Sequence, residues 1–286
     1  MMPRDEFRAD GASATGQVTL QKTFGQAFLA LAAASLALLA LAYGDFAPSG
    51  QTLPGWIPAR EVWVRGAAAL LLAACAALGS RRTALPGASA IGLYLAIWAA
   101  LGIPAILAEP LSLGAWYGFC EALSSLMGTV LLCAMLRGPS RGQPLSRAGE
   151  RAQRTAQTLF GLTCVFYGAS HFAYADYTAG MVPGWLPGRL QLAYLTGASH
   201  IAAGLGIAAG VLPRLAATLE AIMMSLFGLL VWVPSFFAKP RPAWATPAQN
   251  QWSELVVNLL LAAAACVVAA SLSERPWTGG PRPGHR

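Results

Sequence analysis

Three ionisable residues, His171, His200 and Glu220, stand in stretches that are otherwise almost entirely apolar. An ionisable side chain inside hydrocarbon is costly unless it is paired or wetted, so each marks a candidate functional site. A buried histidine held by a carboxylate can take up and release a proton near neutral pH, or hydrogen-bond the carbonyl of a quinone. Counted by helical rise, His200 lies roughly 15 Å and Glu220 roughly 20 Å from one membrane face, about one turn apart in depth. His171 lies within about 5 Å of that face, at a depth where it could meet Glu254. Tyr167, Tyr174 and Trp185 flank the histidines and would line an aromatic pocket or, equally, form part of an interfacial belt. The competing reading is structural: such polar pairs also serve as interhelical hydrogen bonds worth about 0.6–2 kcal/mol each.

Other chemistry finds little support. The histidines show no HxxxH or HxxE spacing, so no metal site is assigned. A haem shared by His171 and His200 is disfavoured because their depths differ by about 10 Å. There is no glycine-rich phosphate loop and no Ser/His/Asp arrangement, and no catalytic residue is assigned. Cys75, Cys120, Cys133, Cys164 and Cys266 fall in apolar stretches without a CxxC pair, which argues against thiol–disulfide exchange. Arg65 reads as a snorkelling residue, Glu121 and Glu254 as matched architectural acids, and the run from Gly206 to Gly210 as a helix-packing surface.

The elements that must position these residues follow from composition. The 286-residue chain is 56% hydrophobic and 11% charged, against about 25% charged for a soluble domain. Apolar runs at 24–43, 62–79, 85–107, 114–136, 155–174, 192–211, 214–237 and 251–272 each approach the ~20 residues that cross a bilayer. The expectation is an all-α polytopic membrane protein with eight transmembrane helices. The first run exceeds the length of a signal-peptide core and is read as a span. Of the 19 Lys and Arg, 14 fall at the termini and in the alternate loops that share their side, and 4 on the opposite side. The positive-inside rule then places both termini in the cytoplasm, in a bacterial inner membrane. A basic face beside anionic lipid accounts for the +7 net charge, and no nucleic-acid partner is expected.

The chain also reads as one unit written twice. LPGWIPAR at 53–60 matches VPGWLPGR at 182–189, sharing Pro54/Pro183, Gly55/Gly184, Trp56/Trp185, Pro58/Pro187 and Arg60/Arg189. With a two-residue shift the match extends to Asp45/Asp176, Gly66/Gly197 and Gly79/Gly210, while Pro104 matches Pro234. Four spans per half is an even number, so the repeats are parallel. The expected organisation is a cytoplasmic segment 1–23, a first four-helix repeat 24–136, an Arg-rich cytoplasmic linker 137–153, a second repeat 154–272 and a cytoplasmic tail 273–286. In that register His171 and His200 face Ala40 and Ala69, and Glu220 has no acidic counterpart. The asymmetry adds weight to a functional role for these three beside the structural one.

From Phe166 to Pro240 the chain resembles the DoxX-like family of small bacterial four-helix membrane proteins. The resemblance is carried by Gly168-x-x-His171-Phe172, Val182-Pro183-x-Trp185-Leu186-Pro187, Gly197, Gly204-Leu205-Gly206 and Pro213-Arg214-x-Ala216-Ala217. The chain departs from the family's pattern at His200, where Glu is frequent, and at Phe236, where Asn is frequent. Some relatives are membrane subunits of thiosulfate:quinone oxidoreductase or partners of sulfurtransferase and superoxide dismutase. The resemblance therefore implies a quinone- or small-lipophile-binding membrane subunit, without independent catalysis, that supports a redox protein partner within the lipid bilayer. A small-solute transporter or channel and a ligand-free scaffold are the rival expectations.

Overall fold

A computed structural model of the chain describes residues 4–47, 57–137 and 146–277, and among them there is no strand. The helices are α1 (Arg4–Tyr43), α2 (Arg60–Leu78), α3 (Ala84–Ala108), α4 (Leu113–Arg137), α5 (Arg147–Ala173), α6 (Ala175–Met181), α7 (Arg189–Ala209), α8 (Pro213–Phe227), α9 (Val233–Ser235) and α10 (Ala248–Ser271). A π-helical turn, Gly228–Trp232, joins α8 to α9 in one rod. Pro234 accounts for the turn: it has no N–H and its ring crowds the preceding turn, so the ladder widens and Val233 N–H reaches Gly228 O.

Among the described residues seven segments are long and apolar enough to cross a membrane: Leu20–Tyr43, Arg60–Leu78, Ala84–Ala108, Leu113–Arg137, Arg189–Ala209, Pro213–Ser235 and Ala248–Ser271. The remaining expected span, 155–174, falls in α5. That helix has 27 residues, but Gln157, Thr163 and Ser170 on its buried face lower its hydropathy. Two expected boundaries move. The helical part of the N-terminal segment begins at Arg4 rather than at the apolar run. The linker ends at 146, where Ser146 Oγ caps α5 by accepting from Gly149 N–H at 3.2 Å. Arg147, Arg151 and Arg154 are thus helical, because charge forbids burial in hydrocarbon, not helix formation. The rest of the linker, 138–145, and residues 53–56 of the first Pro-Gly-Trp block lie outside the described residues.

At the centre α4 packs on α10, and a Cβ built on Gly128 would stand 2.6 Å from Ala264 Cβ. Around this pair run α1–α2–α3–α4 and α5–α7–α8–α10, with α1 against α10 and α5 against α4. The neighbour scheme is unchanged when the first four helices are exchanged for the second four. Burial recurs in the same way. Buried Leu29, Ala33, Leu36 and Ala37 in α1 are followed 131 residues later by buried Phe160, Cys164, Tyr167 and Gly168 in α5. Buried Val64, Ala68, Leu71, Ala74 and Leu78 in α2 are followed 129 residues later by Ala193, Gly197, His200, Ala203 and Ile207 in α7. The same offset carries Ala84, Ala88, Ile91 and Leu95 onto Pro213, Ala217, Glu220 and Met224 in α8.

The burial pattern follows the two-residue shift in part. It holds for α1 and α5, but α2 and α7 return to the offset of the Pro-Gly-Trp blocks, so Leu71 rather than exposed Ala69 answers to His200. Lys22 Nζ donates to Met135 O at 2.8 Å as Gln153 Nε2 donates to Ser271 O at 3.4 Å. The acceptors of these two bonds, on α4 and α10, stand 136 residues apart.

Basic and amide side chains cap helix ends at one end of the bundle. Gln26 donates to Leu78 O at 2.6 Å, Arg154 to Ala208 O at 2.7 Å and Arg214 to Ser273 O at 2.8 Å, each cation meeting backbone carbonyls where the helix dipole is negative. At the opposite end Arg60 pairs with Asp45 at 2.7 Å, and exposed Arg65 pairs with Glu61 at 3.0 Å. Gly206 and Gly210 do not form a shared packing surface: Gly210 is the left-handed C-cap of α7 at φ 76°.

Candidate functional site

The site lies where α5, α7 and α8 meet, and its position follows from glycines spaced by seven. A Cβ on Gly161 would stand 2.5 Å from Gly204 O, and one on Gly168 would stand 2.5 Å from Gly197 O. The antiparallel α5 and α7 backbones therefore touch at two levels. Helical side chains lean toward their own N-termini. His171 on α5 leans down, His200 on α7 leans up, and their ring centroids stand 5.1 Å apart in a T-shaped contact. The depth count of about 10 Å along the helix axis does not keep the rings apart, because the lean of the two side chains brings them together. Two axial imidazoles on one iron must stand on opposite faces of the porphyrin, and rings in edge contact leave no room for it.

His200 and Glu220 are each 1% exposed, and His200 Nδ1 meets Glu220 Oε1 at 2.8 Å. Glu220 Oε2 is buried without a hydrogen-bond partner, and the Cys164 thiol lies beside the carboxyl. His171 is half-buried, with Nδ1 3.0 Å from Thr196 Oγ1 and 3.4 Å from Ala193 O. Phe227, at the top of α8, covers both rings. It stacks on His171 at 5.9 Å and tilts against His200 at 5.8 Å. The Tyr167 ring stands in T-shaped contact with His200, centroids 6.1 Å apart. Its hydroxyl is 2.9 Å from Ser124 Oγ, which itself donates to Cys120 O and Thr163 Oγ1. Tyr167 must then be the donor.

The structure thus gathers His171, His200, Glu220 and Tyr167. It leaves out Tyr174, 45% exposed at the α5–α6 junction, and Trp185, 70% exposed in the loop before α7. Aromatic residues next to histidines in sequence are not next to them in space once the helix ends and the chain turns outward. The hydrogen-bond partners of His171 lie on α7, while Glu254 is the electrostatic neighbour of Glu121. Phe227, Thr196 and Ser124 carry no mark in the sequence, and Cys164 reads there only as an apolar-stretch cysteine. Phe227 follows Glu220 by seven residues and Thr196 precedes His200 by four, so both share a helix face with a residue already singled out. Among the described residues no group of three or more His, Cys, Asp or Glu could hold a metal ion.

What this arrangement defines is a polytopic helical membrane protein with a buried imidazole–carboxyl pair and a second, more accessible imidazole in front of it. No family model, no curated protein and no solved structure matches the chain.

Proposed function

We propose that the chain is a DoxX-like integral membrane protein of eight spans, built as two parallel four-helix repeats. Its second repeat binds a small lipophilic molecule, a quinone in the first instance, and the whole serves a redox partner protein rather than catalysing alone. One observation carries this reading. The first-half positions equivalent to Tyr167, His171, His200 and Glu220 are Leu36, Ala40, Leu71 and Ile91, all buried and all apolar. The bundle closes on hydrocarbon there, so the polar array of the second half is not a requirement of the architecture. A buried polar network retained where an apolar core would pack is a site hypothesis with a physical basis. Organic extracts of the gently solubilised protein are expected to contain a stoichiometric isoprenoid quinone, and extracts of a folded His171→Ala variant to lack it. Equal quinone in both, or none in either, contradicts the proposal.

The membrane is the bacterial inner membrane, with the end bearing Lys22, Arg154 and Arg214 in the cytoplasm. In a cysteine-free background, a membrane-impermeant thiol reagent added to intact spheroplasts is expected to label Leu111→Cys and to spare Ser80→Cys until the membrane is opened. The reverse pattern contradicts the orientation.

A further inference from the structure

The hydrogen bonds around His171 fix which of its ring nitrogens carries the proton. Thr196 Oγ1 has a single proton, and it donates to the carbonyls of its own helix, Leu192 O at 2.9 Å and Ala193 O at 3.0 Å. Toward His171 Nδ1 the Thr196 oxygen therefore presents a lone pair. The other group near Nδ1, Ala193 O at 3.4 Å, is a carbonyl and can only accept. Both partners accept, so Nδ1 bears the hydrogen and Nε2 of the neutral ring bears the lone pair. Phe227 covers the face of the ring, and the His200 ring stands in T-shaped contact with it. The Phe227 ring has no donor to offer, and the Nδ1 of His200 is engaged by Glu220.

The surroundings add no donor from the side of Tyr167, whose hydroxyl is committed to Ser124 Oγ. His200 and Glu220, at 1% exposure, stand behind and hold each other. The half-buried His171 is thus the group of this array that a ligand entering from the membrane meets first, and it meets the ligand with an acceptor.

We infer that this site selects a ligand that donates a hydroxyl hydrogen to His171 Nε2: a hydroquinone or other phenol, in preference to the quinone whose carbonyl could only face that lone pair. The inference rests on the lipophile-binding reading above and sharpens it, assigning the reduced form of the redox couple to this site. Recognition falls to His171; Thr196 is a positioning residue that sets the tautomer.

The test uses the full chain in lipid nanodiscs under anaerobic conditions, with three probes of one skeleton: a short-chain benzoquinone, its hydroquinone and the hydroquinone dimethyl ether. The hydroquinone is expected to bind about tenfold tighter than the quinone, the difference between a hydrogen bond made and an acceptor left facing an acceptor. The dimethyl ether, equal in shape but without a donor, is expected to bind no better than the quinone. In His171→Phe the hydroquinone advantage disappears. Thr196→Val removes the acceptor that holds Nδ1–H and narrows the advantage while the bundle stays folded, as checked by its melting profile. A quinone that binds as tightly as the hydroquinone, or an advantage that survives His171→Phe, overturns the inference and leaves the lipophile-binding reading standing. Three probes that all fail to bind overturn both.

Discussion

A chain carrying His200→Leu alone is expected to lose about 3–5 kcal/mol of stability, and the pair His200→Leu/Glu220→Ile to recover most or all of it. The substituted residues are those found at the equivalent first-half positions, Leu71 and Ile91, where both are buried. His200 and Glu220 are each 1% exposed and joined at 2.8 Å. Removing the imidazole strands a carboxyl whose second oxygen already lacks a partner. Removing both replaces two desolvated polar groups by hydrocarbon of similar volume, which in other buried ion pairs is neutral or stabilising. Thermal denaturation of the three proteins in one detergent reads the result directly. A double variant less stable than the single one would mean that the pair holds the bundle together, and the functional argument would lose its basis.

Gly204→Val is expected to destroy the α5–α7 pairing outright. Its Cβ would run into Gly161 O and stand 2.9 Å from Val165 N, both backbone atoms that cannot swing aside. Overpacking in a well-filled core costs about 1–3 kcal/mol, and here two helices must separate along their whole contact, so the loss exceeds that range. Gly66→Val provides the control, since nothing lies within 4 Å of a Cβ there. Size-exclusion profiles should show Gly66→Val behaving as the parent and Gly204→Val aggregated or absent. Comparable profiles would show that the close approach of α5 and α7 does not determine the site.

Much of this architecture is legible in the sequence, because a membrane span is written in length and apolar composition alone. Seven of the expected spans coincide with helices of suitable length and composition. The eighth is harder to read for the reason that makes it interesting: α5 carries Gln157, Thr163, Tyr167, Ser170 and His171 among its core-facing residues, so the site itself depresses the signal. Charge does not show where a helix begins: Arg147 and Arg151 open α5 ahead of its apolar stretch.

The His200–Glu220 pair was reachable from depth along the helix axis, because a long carboxyl side chain tolerates an error of a turn. The contact between His171 and His200 was not. It depends on the lean of side chains on antiparallel helices, and on the Gly168–Gly197 approach that lets His171 Cβ sit against α7. The seven-residue spacing of Gly161 and Gly168, repeated in Gly197 and Gly204, was the available signal. Trp185 and Tyr174 stand exposed beyond the ends of the helices, since closeness in sequence does not carry across a helix end.

The most direct test of the central claim, that the second half holds a ligand site the fold does not need, is native mass spectrometry of the gently solubilised protein. The companion is the variant His171→Ala/His200→Leu/Glu220→Ile, checked to be folded by its melting profile. The account predicts a small molecule of defined mass that travels with the parent chain and is missing from the variant. Two spectra carrying only lipid, or the same adduct in both, would contradict it.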